Sequence, residues 1–155
     1  MRRRRPEKRE ILPDPLYNDL LVAKFINNLM VGGKKSIAEK IFYTSIEKIE
    51  SSIKSNDGLD VFKKAIDNVA PMLEVKSKRI GGATYQVPIE VAHNRRIALA
   101  MRWIISFSKS RKGDKMSDRL AAEIMAAYKS EGSSVKKKED THKMAEANKA
   151  FAHFR

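Results

Sequence analysis

Residues 72–91 read MLEVKSKRIGGATYQVPIEV, and the period of this stretch decides the fold. Val75, Ser77 and Arg79, with Thr84 and Gln86, alternate with Lys76 and Lys78, and with Tyr85 and Val87, on either side of Gly81-Gly82. Strict alternation about a pair of glycines predicts a two-stranded β-hairpin. Pro88 has no N–H to give a ladder and confines its strand to an edge. A ribbon carrying Lys and Arg with no charge set opposite them is expected to project as an arm rather than pack inside.

Working outward, the period lengthens to that of helices. Leu12-Pro13-Asp14-Pro15 forms an extended spacer, because each proline disfavours helix at the residue before it. A first helix is predicted from Leu20 to Met30, carrying Leu21, Phe25 and Leu29 with Ile26, and ends at Gly32-Gly33. Ser36 and Glu39 read as a capping box for a second helix to about Ser52, with Ile37, Ile41, Ile49 and Ile53 as its buried stripe. After the Asn56-Asp57-Gly58 turn, Leu59, Phe62, Ile66 and Val69 mark a third, which Pro71 stops or follows just beyond its end. Beyond the hairpin, Ile97, Met101, Ile104 and Ile105 define a fourth that ends near Lys112-Gly113. A fifth, capped by Asp114 or Ser117, turns Leu120, Ala121, Ile124 and Tyr128 inward and ends at Gly132. The last spans about Ser134 to Phe151, and its polar circumference places it at an edge or against another molecule. The expected fold is mainly α: a single domain of six helices, a protruding two-stranded hairpin between the third and fourth, and a basic, extended N-terminal tail. The tail and spacer occupy residues 1–18 and the helical domain residues 19–155, with the arm at about 72–91.

A chain of 155 residues favours one domain and can bury a core without staples. It contains no cysteine, which excludes disulfides and Cys-ligated metal and makes a reducing, intracellular setting the simpler expectation. No apolar run approaches the roughly 20 residues of a membrane span. The opening MRRRRPEKRE has neither the apolar stretch nor the cleavage site of a signal peptide, so the tail is expected to belong to the mature protein. Net charge is +13, unevenly spread: residues 1–35 hold 9 basic and 4 acidic side chains, 36–75 hold 5 and 7, and 76–155 hold 18 and 8. A near-neutral middle between two cationic ends predicts one polyanion-facing surface. The tail lacks the large apolar residues that would anchor it to a membrane.

The candidate phosphate contacts begin in that tail. Arg2, Arg3, Arg4 and Arg5, then Lys8 and Arg9, suit bidentate phosphate contacts. Lys34 and Lys35 stand beside the N–H groups opening the second helix. Gly33-Lys34-Lys35-Ser36 fails as a nucleotide loop, since Asn28 stands where the earlier glycine belongs and a helix precedes it. The hairpin adds Lys76, Lys78 and Arg79, with Tyr85 as a stacking ring and Gln86 as an amide. Arg95, Arg96 and Arg102, then Lys109, Arg111, Lys112, Lys115 and Arg119, extend the charge; Trp103 reads as a core residue. His93, His142 and His153 are scattered, and His142 with Glu146 alone cannot hold a metal. Glu139-Asp140 reads as surface ion pairing rather than an acid/base dyad. No catalytic residues, cofactor, metal or small-molecule substrate are expected.

Three blocks carry a resemblance: LPDPLYNDLLVAKFINNLMVGGKKSIAEKIFY, SKRIGGATYQVPIEV followed by RRIALAMRWI, and VKKKEDTHKMAEANKAFAHFR. In order and spacing they resemble the universal S-seven family of ribosomal proteins of the bacterial small subunit, essentially end to end, with a departure at Ala92-His93-Asn94. The resemblance implies six helices with a ribbon between the third and fourth, and a non-enzymatic, primary binder of 16S ribosomal RNA that nucleates assembly of the small-subunit head. It implies a cytoplasmic ribosome, bacterial or plastid. Carried over residue by residue, it places RNA contacts on Arg2 to Arg5, Lys8, Arg9, Lys34, Lys35, Lys76, Lys78, Arg79, Arg95 and Arg96. It sets Arg79, Ile80, Gly81, Gly82, Ala83, Thr84 and Tyr85 near transfer RNA of the exit (E) site and messenger RNA. It also implies S-nine and S-eleven as protein neighbours, the latter near a final helix with Lys136, His142, Lys149, Phe151 and Phe154. Two rivals share the charge pattern: a DNA-bending architectural protein using the hairpin as a minor-groove arm, and a helical module binding acidic proteins.

Overall fold

The computed structural model describes residues 9–53 and 57–154. The chain forms two compact units, residues 1–40 and 41–155. Arg2 to Arg5 and Lys8, and Asn56 of the second turn, lie outside the described residues.

In the first unit, buried Asp14 accepts hydrogen bonds from the backbone N–H groups of Leu16 and Tyr17, each at 3.1 Å. These bonds shape the proline spacer into a turn. Asp19 then caps α1 (Leu20–Leu29), accepting from Leu21 N at 2.7 Å. The helix buries Val22, Phe25, Ile26 and Leu29. Gly32 and Gly33, with φ of 62° and 76°, supply the left-handed backbone that the turn into α2 (Lys35–Ser52) needs.

Two sequence expectations are corrected along α2. The helix already includes Ser36, and Glu39 pairs with Lys35 at 3.6 Å, so no capping box forms. The buried line runs through Ala38, Phe42, Ser45, Ile46 and Ile49, while Ile37 is 53% exposed.

The second unit adds α3 (Gly58–Val69), β1 (Leu73–Ile80), β2 (Ala83–Glu90), α4 (His93–Ser110), α5 (Met116–Tyr128) and α6 (Ser133–Ala147), ending in a 3-10 helix (Lys149–Phe154). Its core centres on Phe42 against Phe62, edge-on at 5.1 Å, with α5 packed on α3 and α4. The buried Ser45 hydroxyl lies 2.9 Å from the Ser117 carbonyl, which joins α2 to α5. Ser117 is therefore inside α5 rather than capping it; Lys115 stands at the cap without a side-chain bond. Gly132 begins α6 instead of ending α5. Asn68 donates to the Ala127 and Tyr128 carbonyls, both at 3.0 Å, and so closes the end of α5. Trp103 is half-buried, not core.

The strands pair antiparallel, Lys76 opposite Val87 and Lys78 opposite Tyr85, around a two-residue turn. Gly81 and Gly82 have φ of 58° and 89°, which is the type I′ geometry a right-twisted hairpin prefers. The ribbon is less free than its sequence implies. On one face the Met72 N–H donates to His142 Nε2 of α6 at 3.0 Å. On the other, Tyr85 meets Phe151 and Phe154 of the 3-10 helix at 5.4 and 5.0 Å. The tip, Arg79 and Gly81 to Thr84, stays exposed.

Candidate nucleic-acid interface

The basic residues singled out by sequence divide by what they touch. In the first unit Arg9, Lys34 and Lys35 are exposed. The N–H groups of Lys34 and Lys35 are already bonded, to the carbonyls of Val31 and Gly33 at 3.2 and 2.9 Å. An anion at this helix start would therefore meet the two side chains more than the backbone.

In the second unit Lys76, Arg79, Arg102, Lys109, Lys112 and Lys115 are exposed. None of these six side chains has an ion-pair partner among the described residues. Lys109 sits in the last turn of α4, which ends at Ser110, and Lys112 and Lys115 follow on the short connection before α5 starts at Met116. Arg79 owes its exposure to the I′ turn, which puts it one pair from the tip, opposite Thr84.

Three arginines are instead bonded to groups of the protein itself. Arg95 forms two bonds with Glu74, at 2.7 and 2.8 Å. That hydrogen bond, reinforced by the Glu74 charge, raises the Arg95 pKa above its ordinary value. Arg111 Nε donates at 2.5 Å to Glu123, which is fully buried on α5. Arg119 donates to the Lys109 carbonyl at 3.1 Å. Arg96 is half-buried. Sequence could not single out Glu74 and Glu123, because a carboxylate announces its partner only once the fold brings the two together.

The residues expected to meet a protein neighbour are split. Lys136 and Lys149 are exposed, whereas Phe151 and Phe154 turn toward the ribbon's own Tyr85. His142 accepts from Met72 N, so its Nε2 is unprotonated there and the proton sits on Nδ1. Burial first, then the charges of Lys138 and Arg96, lower its pKa. The Tyr85 ring, expected to stack on a base, already has two aromatic neighbours. Among the described residues no group of three His, Asp or Glu could hold a metal ion, and no helix is long and apolar enough to cross a membrane.

Residues 1–149 match the family described as Ribosomal protein S7p/S5e. The chain is 60% identical over 154 residues to the Small ribosomal subunit protein uS7 of Anaeromyxobacter sp. (strain Fw109-5), covering 99% of this chain and 98% of that protein. The proteins of the same name from Francisella tularensis subsp. holarctica (strain OSU18) and subsp. novicida (strain U112) are 60% and 59% identical over the same shares.

Proposed function

The chain belongs to the Ribosomal protein S7p/S5e family, and on that premise we propose that it is a primary 16S ribosomal RNA binder that nucleates assembly of the small-subunit head. It is a structural component of the small ribosomal subunit and not an enzyme. Its partners are ribosomal RNA and other ribosomal proteins, in the cytoplasmic ribosome of a bacterium.

The observation that carries the finer reading is the set of uncompensated cations on the ribbon and on the α4–α5 connection. Arg79 stands at an exposed tip and Lys76 on an exposed strand, and Lys109, Lys112 and Lys115 form a second group. Cations without local counter-charges favour a polyanion, and binding then gains from released counterions. A-form RNA hides its base edges in a deep, narrow groove, so a body with a rigid ribbon reads the shape of a junction rather than a linear sequence. Residues 1–18 serve as the threading tail and 19–155 as the domain. The tip from Arg79 to Tyr85 approaches exit-site transfer RNA and messenger RNA, and the C-terminal helix, with exposed Lys136 and Lys149, faces the neighbours S-nine and S-eleven.

Competition binding tests this. A folded fragment of the 3′ major domain should displace duplex DNA of equal length, and the preference should persist as salt rises. Equal affinity for both would instead favour the DNA-bending alternative, and loss of both to an acidic protein competitor would favour the interaction module.

A further inference from the structure

We propose that the groove between the ribbon and the C-terminal 3-10 helix holds one unpaired RNA base, with the adjoining phosphate lying across Lys76 and Lys78. The proposal deepens the ribosomal RNA reading above and rests on it.

A cavity of about 260 Å³ is lined by Lys76, Lys78, Val87, Ile89 and Phe154. The register explains why these side chains converge. Lys76 pairs with Val87 and Lys78 with Tyr85, and alternate residues of a strand share a face, so both lysines, Val87 and Ile89 look the same way. Phe154 closes the groove as a wall. Its ring lies 5.0 Å from Tyr85, and its carbonyl accepts from Lys78 Nζ at 2.7 Å, which fixes it from two sides.

The volume lies below the roughly 300–1,000 Å³ of pockets for drug-sized ligands. That suits a single planar ring system rather than a whole nucleotide or a peptide side of several residues. The floor is aliphatic and aromatic, and among the described residues the lining carries two ammonium groups and no carboxylate. Glu74 shares this face but is bound to Arg95. Lys78 uses one of its three N–H groups on Phe154, and Lys76 has no bonded partner among the described residues. An apolar slot edged by cations matches the two halves of a nucleotide, a flat base and an anionic phosphate. Single-stranded RNA is held in this way, by aromatic faces and basic grooves together.

The test uses the full chain with a uridine hexamer and the same hexamer made abasic, which carries equal backbone charge. The base-bearing strand should bind about tenfold tighter, as one stacked base is worth. Phe154→Leu keeps an apolar wall without an aromatic face and should erase most of that margin. Lys76→Gln, which spares the Lys78 tie to Phe154, should weaken both strands alike. A hexamer with 2-aminopurine at its centre reads the contact on the unaltered protein, where stacking quenches its fluorescence. Equal affinity of the wild type for the two strands, an unchanged margin in Phe154→Leu, or 2-aminopurine that stays bright at saturation would each overturn the proposal. If these fail while the folded 3′ major-domain fragment still outcompetes duplex DNA, the groove is wrong and the ribosomal reading stands. The reverse pattern would leave the groove in place and overturn the finer ribosomal reading.

Discussion

Glu123 shows how much one buried carboxylate can organise. It accepts from Arg111 Nε at 2.5 Å, from the Ser134 hydroxyl at 2.5 Å and from the Ser134 backbone N–H at 3.1 Å. The first turn of α6 leaves N–H groups without partners, and its own cap residue, Gly132, offers no side chain. A carboxylate from α5 thus caps a different helix. Replacing Glu123 with Ala leaves a serine hydroxyl and an N–H unpaired in the interior and a guanidinium without its counter-ion. Removing one partner of a buried pair costs about 3–5 kcal/mol; because Arg111 keeps 35% of its side chain in water, the lower end is expected, read as a lower urea midpoint at unchanged slope. His142 gives a second residue-scale expectation. Its folded pKa is lowered by burial and by Lys138 and Arg96, so between that value and the unfolded value of about 6.5 the unfolded chain binds more protons. Its contribution to stability is complete above about pH 6.5 and is lost as pH falls through the folded pKa. Protonated Nε2 can no longer accept from Met72 N. Thermal midpoints at pH 7.5 and pH 5 should differ more in the wild type than in His142→Gln.

At the scale of elements, the ribbon was legible because two independent signals agreed, a two-residue period and a glycine pair that only a tight turn needs. Gly82 tests the second signal. A Cβ there would meet no atom within 4 Å, but the φ of 89° is a conformation L side chains rarely adopt. Gly82→Ala should therefore cost about 1–2 kcal/mol through backbone strain alone. Amide exchange should quicken across residues 73–90 while the helical circular dichroism holds. The helix α2 was legible as a helix but misread in its facing. Ile37, Ile41, Ile49 and Ile53 repeat at helical spacing, yet the buried line shares only Ile49 with them and otherwise runs through Ala38, Phe42, Ser45 and Ile46. Hydrophobic patterning credits size and apolarity, so it overlooked a small alanine and a serine that pack closely. The same blindness made α6 look polar all round, although Ser134, Val135, Thr141 and Ala145 are buried. The clasp of the ribbon by the C-terminal segment was invisible for another reason. Tyr85 and Phe154 are far apart in sequence, and no periodicity links them. Deleting residues 149–155 should expose Tyr85, raising its quenching by iodide, and leave the helices intact.

For the molecule as a whole, a charge of +13 announces a polyanion, but it overstates how many cations face one. Sequence counts guanidiniums; the fold ties several of them to its own groups, Arg95 to Glu74, Arg111 to Glu123 and Arg119 to the Lys109 carbonyl. The lysines of the α4–α5 connection have no such ties, so they contribute to the long-range field that arginine-rich patterning seemed to promise. Salt dependence separates the two groups, because each phosphate contact releases counterions and adds about 0.7–0.9 to the slope of log affinity against log salt. Lys109→Gln, Lys112→Gln and Lys115→Gln together should flatten that slope on a 3′ major-domain fragment by about two units and leave the thermal midpoint nearly unchanged. Arg111→Gln should do the opposite, lowering the midpoint and barely moving the slope. Replacing Arg2 to Arg5 with Gln extends the test to the tail: a slope flattened by about three units assigns those four guanidiniums to phosphates. An unaltered slope would move the RNA-binding charge to the ribbon and the α4–α5 connection alone.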